Sequence, residues 1–167
     1  IFLRAMDELD ARLIPGTDEV LRGPFFSADG RSIGYFTQAS QVKRIAISGG
    51  APVVVGAHQG GASIGAVWGS DGTILFGDAE GVYRVPATGG VPELVVRSEG
   101  ENRMYVGALL PDGDTVLVTE RRSAGADWDA GEINAYSIST GERRAMLTTG
   151  AGVQGWPGTR NPPAALP

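Results

Sequence analysis

One short stretch returns three times along this chain at almost constant spacing, and this repeat constrains the fold more than any other feature. The copies are FFSADGRSIGYF at 25–36, VWGSDGTILFGD at 67–78 and ALLPDGDTVLVT at 108–119. Each copy places an Asp-Gly pair between two apolar runs, and the pairs recur after 42 and then 41 residues. Asp-Gly between β-patterned runs predicts a hairpin turn, because glycine adopts positive φ without steric cost. The chain is therefore predicted to consist of repeated β-hairpins.

A second turn sequence accompanies the first. RIAISGGAPVVV at 44–55 matches YRVPATGGVPELVV at 83–96, and AYSISTGERRAML at 135–147 keeps the turn with a single Gly. Each unit then contains four short β-runs, and in the second unit we expect them at about 63–68, 73–77, 81–86 and 92–96. Four strands in a period of about 40–45 residues are typical of a β-propeller blade. The alternative is an all-β sandwich whose turns happen to be regular.

The repeat divides the chain into half a blade, three whole blades and a tail. The predicted boundaries are 1–19 for the outer half blade, 20–58, 59–99 and 100–149 for the blades, and 150–167 for an irregular tail rich in Gly and Pro. The first 14 residues also show helical spacing of Phe2, Met6, Leu9 and Leu13, but the repeat favours two strands. The predicted fold class is all-β, a partial β-propeller of about three and a half four-stranded blades.

The turn sequences resemble the S-P-D-G core of TolB-like propellers, which are built from WD40-like repeats. Here the core reads Ser27-Ala28-Asp29-Gly30, Gly69-Ser70-Asp71-Gly72 and Leu110-Pro111-Asp112-Gly113. The flanking sequences are most similar to the sensor propellers attached to bacterial serine/threonine protein kinases. The resemblance covers about residues 1–149 and implies a ring, usually of six or more blades, with a central channel. It implies an extracytoplasmic location, periplasmic or secreted, and it does not imply catalysis.

Charge and composition exclude several classes of function. The net charge is −5, which argues against a general nucleic-acid binder. The chain has no cysteine, so disulfides, thiolate metal sites and a cysteine nucleophile are excluded. No apolar run approaches the roughly 20 residues that span a bilayer, so membrane insertion is not expected.

Few residues are candidates for a functional site. The single histidine, His58, lies in a predicted connection between blades, and Arg22, Arg103 and Tyr105 precede or begin innermost strands. Such positions lie near the channel mouth of a propeller, so these four are candidate ligand-binding residues. Ordinary packing or solvent-facing polarity is the alternative explanation. The stretch 61–65 spells G-x-S-x-G, but no strand-to-helix turn is predicted there, so no catalytic residue is assigned.

The segment SAGADWDAGE at 123–132 groups three acids, Asp127, Asp129 and Glu132. Hard cations bind clustered carboxylate oxygens, so these acids are a weak candidate for a calcium site. The EF-hand spacing is not met, and a solvated hairpin loop is the simpler explanation. Zinc is still less suited, because neither His nor Cys supports the cluster. No cofactor is expected.

The repeat and the missing chemistry predict a non-catalytic propeller that acts as a ligand-binding or protein-binding scaffold. The alternative is the substrate-gating propeller of a prolyl-oligopeptidase-like hydrolase whose catalytic domain lies elsewhere. A propeller enzyme of the lactonase kind would need acids or histidines that converge at the channel. An open arc of blades leaves two apolar faces in water, so we expect self-association as a homodimer.

Overall fold

The computed structural model describes residues 1–19, 21–57, 65–99, 103–121 and 131–148. Over these residues the chain forms fourteen β-strands and no helix. No described segment is a helix of the length and apolar character that would cross a membrane. The strands are β1 (Phe2–Leu3), β2 (Arg12–Leu13), β3 (Leu21–Phe26), β4 (Ser32–Thr37), β5 (Gln41–Ala46), β6 (Val53–Ala57), β7 (Ala66–Trp68), β8 (Thr73–Gly77), β9 (Gly81–Pro86), β10 (Glu93–Arg97), β11 (Arg103–Leu109), β12 (Thr115–Arg121), β13 (Glu132–Ser137) and β14 (Arg143–Thr148).

Twelve of these strands form three antiparallel sheets of four, in which neighbours along the chain are also neighbours in the sheet. We call them blade 1 (β3–β6), blade 2 (β7–β10) and blade 3 (β11–β14). The strands β1 and β2 pair only with each other in the described structure and form the half-blade. The first strand of each blade is the innermost, and β7 lies against both β3 and β11. The predicted fold class is confirmed: the chain is an all-β partial propeller of about three and a half blades.

The half-blade forms two paired strands and not the helix that the spacing of its apolar residues would allow. Phe2 pairs with Leu13 across the antiparallel strands. Met6 and Leu9, which share the helical spacing, are almost fully exposed in the loop between the strands. Ile14 is instead fully buried and packs with the apolar side chains of blade 1. We attribute the strand conformation to this packing, because the paired strands cover the face of blade 1 that the half-blade contacts.

Each Asp-Gly pair closes the turn between the first two strands of a blade. In blade 2 the Asp71 carboxylate accepts hydrogen bonds from the Thr73 amide at 2.9 Å and from its hydroxyl at 2.8 Å. Gly72 follows with φ of 80°, a conformation that favours glycine. Asp29 and Asp112 accept equivalent turn hydrogen bonds in blades 1 and 3. The turn itself therefore explains why Asp and Gly recur.

Hydrogen bonds within the turns favour the ionised form of the Asp29 and Asp112 carboxylates. The Ser27 hydroxyl is the main cause that lowers the pKa of Asp29, and the Thr115 amide is the main cause for Asp112. A lowered native pKa means that the stabilisation is present above the ordinary value of 3.8 and is lost as the pH falls through the native values. The turns are thus expected to weaken in acid.

The second repeated turn, between the third and fourth strands, lies against the blade before it. The Gly90 amide donates a hydrogen bond of 2.9 Å to the carbonyl of Val55 on β6. In blade 1, a Cβ atom added to Gly49 would lie 2.9 Å from the ring of Pro15 in the half-blade. At Gly49, the close approach of Pro15 and the positive φ of 92° both favour glycine.

Apolar side chains fill the spaces between successive blades. Ile14, Ile33, Tyr35 and Ile45 form the core between the half-blade and blade 1. Phe36, Val42, Val55, Ile74, Phe76 and Val85 form the core between blades 1 and 2, and Leu75, Val82, Val96, Met104, Val106, Val116 and Val118 form the core between blades 2 and 3. Burial of these side chains between sheets holds the arc together.

Tyr35 makes the free energy of unfolding depend on pH in the alkaline range. Its buried ring lies in the first core, and its hydroxyl donates to Glu19 at 3.2 Å. Burial, followed by the Glu19 charge, raises the pKa of Tyr35 from 10.0 to about 12. The native state therefore favours the protonated hydroxyl, and this contribution is full below pH 10.0 and lost as the pH rises toward about 12.

We expect the free energy of unfolding, measured by urea titration, to fall over this alkaline range in the wild-type protein. In Tyr35→Phe it should fall less steeply, because one of the groups that release a proton on unfolding is gone. Equal slopes in the two proteins would contradict the assignment to Tyr35.

Candidate functional site

A cleft of about 510 Å³ lies where the three blades converge, and we call it the axial cleft. Each blade contributes the same two elements, the end of its innermost strand and the Asp-Gly turn that follows. The lining residues are Phe25, Phe26 and Ala28 from blade 1, Ala66, Val67, Trp68, Gly69 and Ser70 from blade 2, and Gly107, Ala108, Leu109, Leu110, Pro111 and Gly113 from blade 3. The volume lies within the range of about 300–1,000 Å³ that is usual for ligand sites.

Aromatic side chains form one wall of the axial cleft. The rings of Phe25 and Trp68 meet edge to face with centroids 6.4 Å apart, and Phe25 also contacts Phe36 at 5.9 Å. Gly34 lies directly under Phe25, so that a Cβ atom there would overlap the ring. Phe26, in contrast, is 57% exposed. The wall therefore combines rings fixed by packing with one ring open to solvent.

The backbone of the innermost strands supplies polar groups to the cleft. Within their sheets, β3, β7 and β11 are each hydrogen-bonded to a neighbour on one side only. The pairing of β3 shifts register between Arg22 and Phe25, and that of β11 between Val106 and Ala108. Such bulges bend a strand and redirect its side chains. An edge strand of this kind offers amide and carbonyl groups to an extended peptide.

The side chains that line the axial cleft are apolar, apart from the hydroxyl of Ser70 and the indole N–H of Trp68. Such a lining can desolvate and hold an apolar group, and the backbone can orient it. Among the described residues, no group of three or more His, Cys, Asp or Glu side chains is placed to hold a metal ion. The side chains of the axial cleft are therefore suited to holding an apolar group.

The predicted candidates Arg22, Arg103 and Tyr105 lie at the other end of the innermost strands. Arg22 is exposed near the start of β3, and Arg103 is partly buried at the start of β11. Tyr105 is partly exposed, with its ring close to Gly65. Phe26 lies four positions after Arg22, which is roughly 13 Å along a strand. None of the three lines the axial cleft, and their role in binding stays a prediction for the opposite channel mouth.

Three other candidates, His58, Asp127 and Asp129, lie outside the described residues. The serine of the G-x-S-x-G stretch, Ser63, also lies outside them. Glu132 is described and begins β13, where its carboxylate accepts a hydrogen bond of 3.3 Å from Arg143. An arginine at this distance competes with a cation for the carboxylate. The calcium site therefore stays a prediction, with its one described member already paired.

A buried polar network in blade 3 was not predicted from the sequence. Glu120 is almost fully buried and accepts hydrogen bonds from the Asn134 amide at 2.9 Å and from the Tyr136 hydroxyl. The Arg143 guanidinium lies 3.6 Å from the same carboxylate oxygen. Burial, followed by the hydrogen bond to Glu120, raises the pKa of Tyr136. The network ties the second, third and fourth strands of blade 3 together.

The cleft residues were not predicted from the sequence either, although the sequence contains a signal for them. An apolar pair precedes each Asp-Gly turn: Phe25-Phe26, Val67-Trp68 and Leu109-Leu110. In each pair, the alternating pattern of a strand assigns one of the two side chains to the core. The second residue of each pair is explained only once the three strand ends are seen to converge on one cleft.

Comparison with known proteins supports the fold. No protein-family model matches the sequence, and no curated protein matches it. A solved structure with a similar fold is the calcium-binding protein regucalcin from Agrobacterium tumefaciens, with a TM-score of 0.54 and 20% sequence identity. The match covers 81% of this chain and 48% of regucalcin, so the chain spans about half the length of that protein. At this identity the likeness shows the fold alone, a β-propeller.

Proposed function

We propose that this chain is a non-catalytic binding module whose ligand site is the axial cleft. The observation that supports the proposal is the convergence of equivalent elements from three successive blades on one cleft of about 510 Å³. Apolar walls and inward-facing strand edges suit a short extended peptide that carries an aromatic or proline residue. The side chain would contact Phe26, Trp68 and Leu109, while the peptide backbone would meet the edge strands.

We propose further that the module is a propeller of the TolB-like type. The basis is the repeated S-P-D-G-like core, in which Asp29, Asp71 and Asp112 each accept the turn hydrogen bonds of their blade. The similarity to sensor propellers of bacterial serine/threonine kinases fits a module that binds a ligand on behalf of an attached domain. No kinase motif occurs in this chain, so any such activity would belong to a different part of a longer protein.

Two other functions have less support. Regucalcin is named a calcium-binding protein, but in this chain the described acid of the candidate calcium site, Glu132, is paired with Arg143. A gating propeller for a hydrolase rests on the propeller fold only, and no described residue favours it over a binding module.

The proposal predicts that an apolar peptide binds next to Trp68. The chain has three tryptophans, Trp68, Trp128 and Trp156, so a Trp128→Phe/Trp156→Phe protein makes Trp68 the fluorescent reporter. Titration with N-acetyl-Gly-Ser-Phe-Pro-Ser-Gly-amide should change its emission with a dissociation constant of about 0.1–1 mM. Only the Phe-Pro pair is expected to enter the cleft, and its roughly 18 non-hydrogen atoms at about 0.3 kcal/mol each give about 5 kcal/mol. The same peptide with Glu-Lys in place of Phe-Pro should not bind.

A pair of matched variants tests the site. Ala28 and Ala39 are both exposed turn residues of blade 1, but only Ala28 lines the axial cleft. Ala28→Glu should weaken binding about tenfold or more, because a charge would lie beside an apolar ligand. Ala39→Glu should leave binding unchanged. Equal binding to both variants, or equal binding of both peptides, would overturn the proposed site.

A further inference from the structure

Blade 3 differs from blade 2 in how its faces are covered. In β8, the side chains Ile74, Leu75 and Phe76 are all buried, so blade 2 packs on both faces. In β12, Val116 and Val118 are buried while Thr115, Leu117 and Thr119 between and beside them are partly exposed. Within the described part of the chain, blade 3 therefore packs tightly on one face only.

The open face of blade 3 keeps apolar residues at the positions that pack blades together elsewhere in the chain. When the third and fourth strands of the blades are aligned on their turns, Met146 takes the place of Val55 and Ile133 takes that of Val42. Val55 is 1% exposed between blades 1 and 2, whereas Met146 is 58% exposed. A groove of about 330 Å³ on this face is lined by Leu117, Met146 and Arg144 among others.

The half-blade presents a complementary surface at the other end of the arc. Phe2 is 72% exposed and forms a cross-strand pair with Leu13, which is also exposed, on the face turned away from blade 1. The loop at 4–11 that joins its strands is acidic, because the exposed side chains of Asp7, Glu8 and Asp10 outnumber its one basic residue, Arg4. We call this loop the acidic loop.

The contacts inside the chain show where this loop belongs in a stack of blades. In blade 2 the turn between the third and fourth strands lies on the fourth strand of blade 1, where the Gly90 amide donates to the Val55 carbonyl. In blade 1 the same turn lies against Pro15, which follows the fourth strand of the half-blade. The acidic loop is the same turn of the half-blade. If another blade preceded the half-blade, its fourth strand would lie under this loop. On blade 3 that strand is β14, where Arg144 and Met146 are exposed.

We propose that the open face of blade 3 docks the half-blade of a second copy of this chain, head to tail. Phe2 and Leu13 of the second copy would cover Met146 and its neighbours. Its acidic loop would lie beside Arg144, so the charges as well as the apolar surfaces are complementary. The interface repeats the contact that already joins successive blades.

This interface joins different surfaces of the two copies. Such a heterologous contact gives a closed ring when the rotation returns to the start and an open filament when it does not. Two copies together offer about seven blades, which allows closure as a dimer. The interface does not involve the axial cleft, so the outcome of its test does not depend on whether the proposed ligand site is correct.

The test is a charge exchange monitored by sedimentation velocity at micromolar concentration. The wild-type chain should be a dimer. Arg144→Glu and the double variant Asp7→Lys/Glu8→Lys should each raise the dissociation constant about tenfold or more, because like charges then face each other. An equimolar mixture of the two should restore the dimer, since every contact in the mixed pair again joins opposite charges. Arg97→Glu, at an exposed arginine of blade 2 outside this interface, is the matched control and should leave the dissociation constant unchanged.

All of these positions are exposed, so the variants should fold, and circular dichroism with thermal melting verifies this. A wild-type chain that stays monomeric would overturn the proposal. So would a dimer that both charge variants leave intact, because association would then use another surface. Failure of the mixture to restore the dimer would exclude the pairing of Arg144 with the acidic loop.

Discussion

Replacing Phe76 by alanine is expected to destabilise the protein by about 3–5 kcal/mol, the usual cost of removing a fully buried phenylalanine. The ring is 0% exposed between blades 1 and 2. It meets Phe36 with centroids 6.0 Å apart and stacks on Tyr83 at 5.6 Å. Truncation would leave a cavity between the two sheets, which relax only partially around it. Chemical denaturation monitored by circular dichroism measures the loss.

Phe26→Ala is the matched control, because this phenylalanine is 57% exposed. Its removal should cost about 1 kcal/mol or less. Similar losses in the two variants would mean that the packing between blades does not hold the arc together, and the described contact between blades 1 and 2 would be wrong.

Glu120→Leu is the second change with a large expected effect, about 2–5 kcal/mol. The leucine has a similar size but cannot accept hydrogen bonds, so the Asn134 amide and the Tyr136 hydroxyl lose their buried acceptor. Arg143 also loses a partner at 3.6 Å. Removing one member of a buried polar network costs more than the network contributes as a whole.

Two comparisons separate this effect from a general loss of charge. Glu142→Leu removes an exposed glutamate of the same blade and should change the free energy of unfolding by about 0.5 kcal/mol or less. In the double variant Glu120→Leu/Tyr136→Phe, the loss should be smaller than the sum of the single losses, because one unsatisfied donor is removed. Additive losses would show that the two side chains do not interact in solution.

The fold could be predicted from the sequence because local turn chemistry encodes it. Predicted strands at 73–77 and 81–86 coincide with β8 and β9, whose ends are set by the Asp-Gly and Gly-Gly turns. The prediction at 92–96 is displaced by one residue from β10, which spans Glu93–Arg97 and has a register shift in its pairing with β9. Register shifts depend on the partner strand, so a single sequence does not reveal them.

The axial cleft could not be predicted because it depends on how strands from different blades converge. Arg22 and Tyr105 were selected by residue type and by their place at the start of a strand. The cleft is instead formed at the end of the same strands, by apolar side chains such as Trp68 that a strand pattern assigns to a core. The direction in which the innermost strands approach each other is a property of the assembled sheets.

A further repeat is visible only in the structure. Thr37, Asp78 and Glu120 occupy the same aligned position in blades 1, 2 and 3, at the end of the second strand. All three side chains are buried. Asp78 accepts a hydrogen bond of 2.7 Å from the Glu80 amide, and Thr37 accepts one of 3.3 Å from the Gln41 amide. Each helps to connect the second strand to the third. Because the three residue types differ, sequence comparison does not align them by identity.

The central claim is that the ligand site lies at the Asp-Gly end of the innermost strands. Amide chemical-shift mapping with N-acetyl-Gly-Ser-Phe-Pro-Ser-Gly-amide tests it most directly, because it reports on both ends of those strands at once. The claim predicts shifts at Gly69, Ser70 and Gly107, with Arg22 and Arg103 unaffected. Shifts confined to Arg22 and Arg103, or no saturable shifts at all, would contradict it.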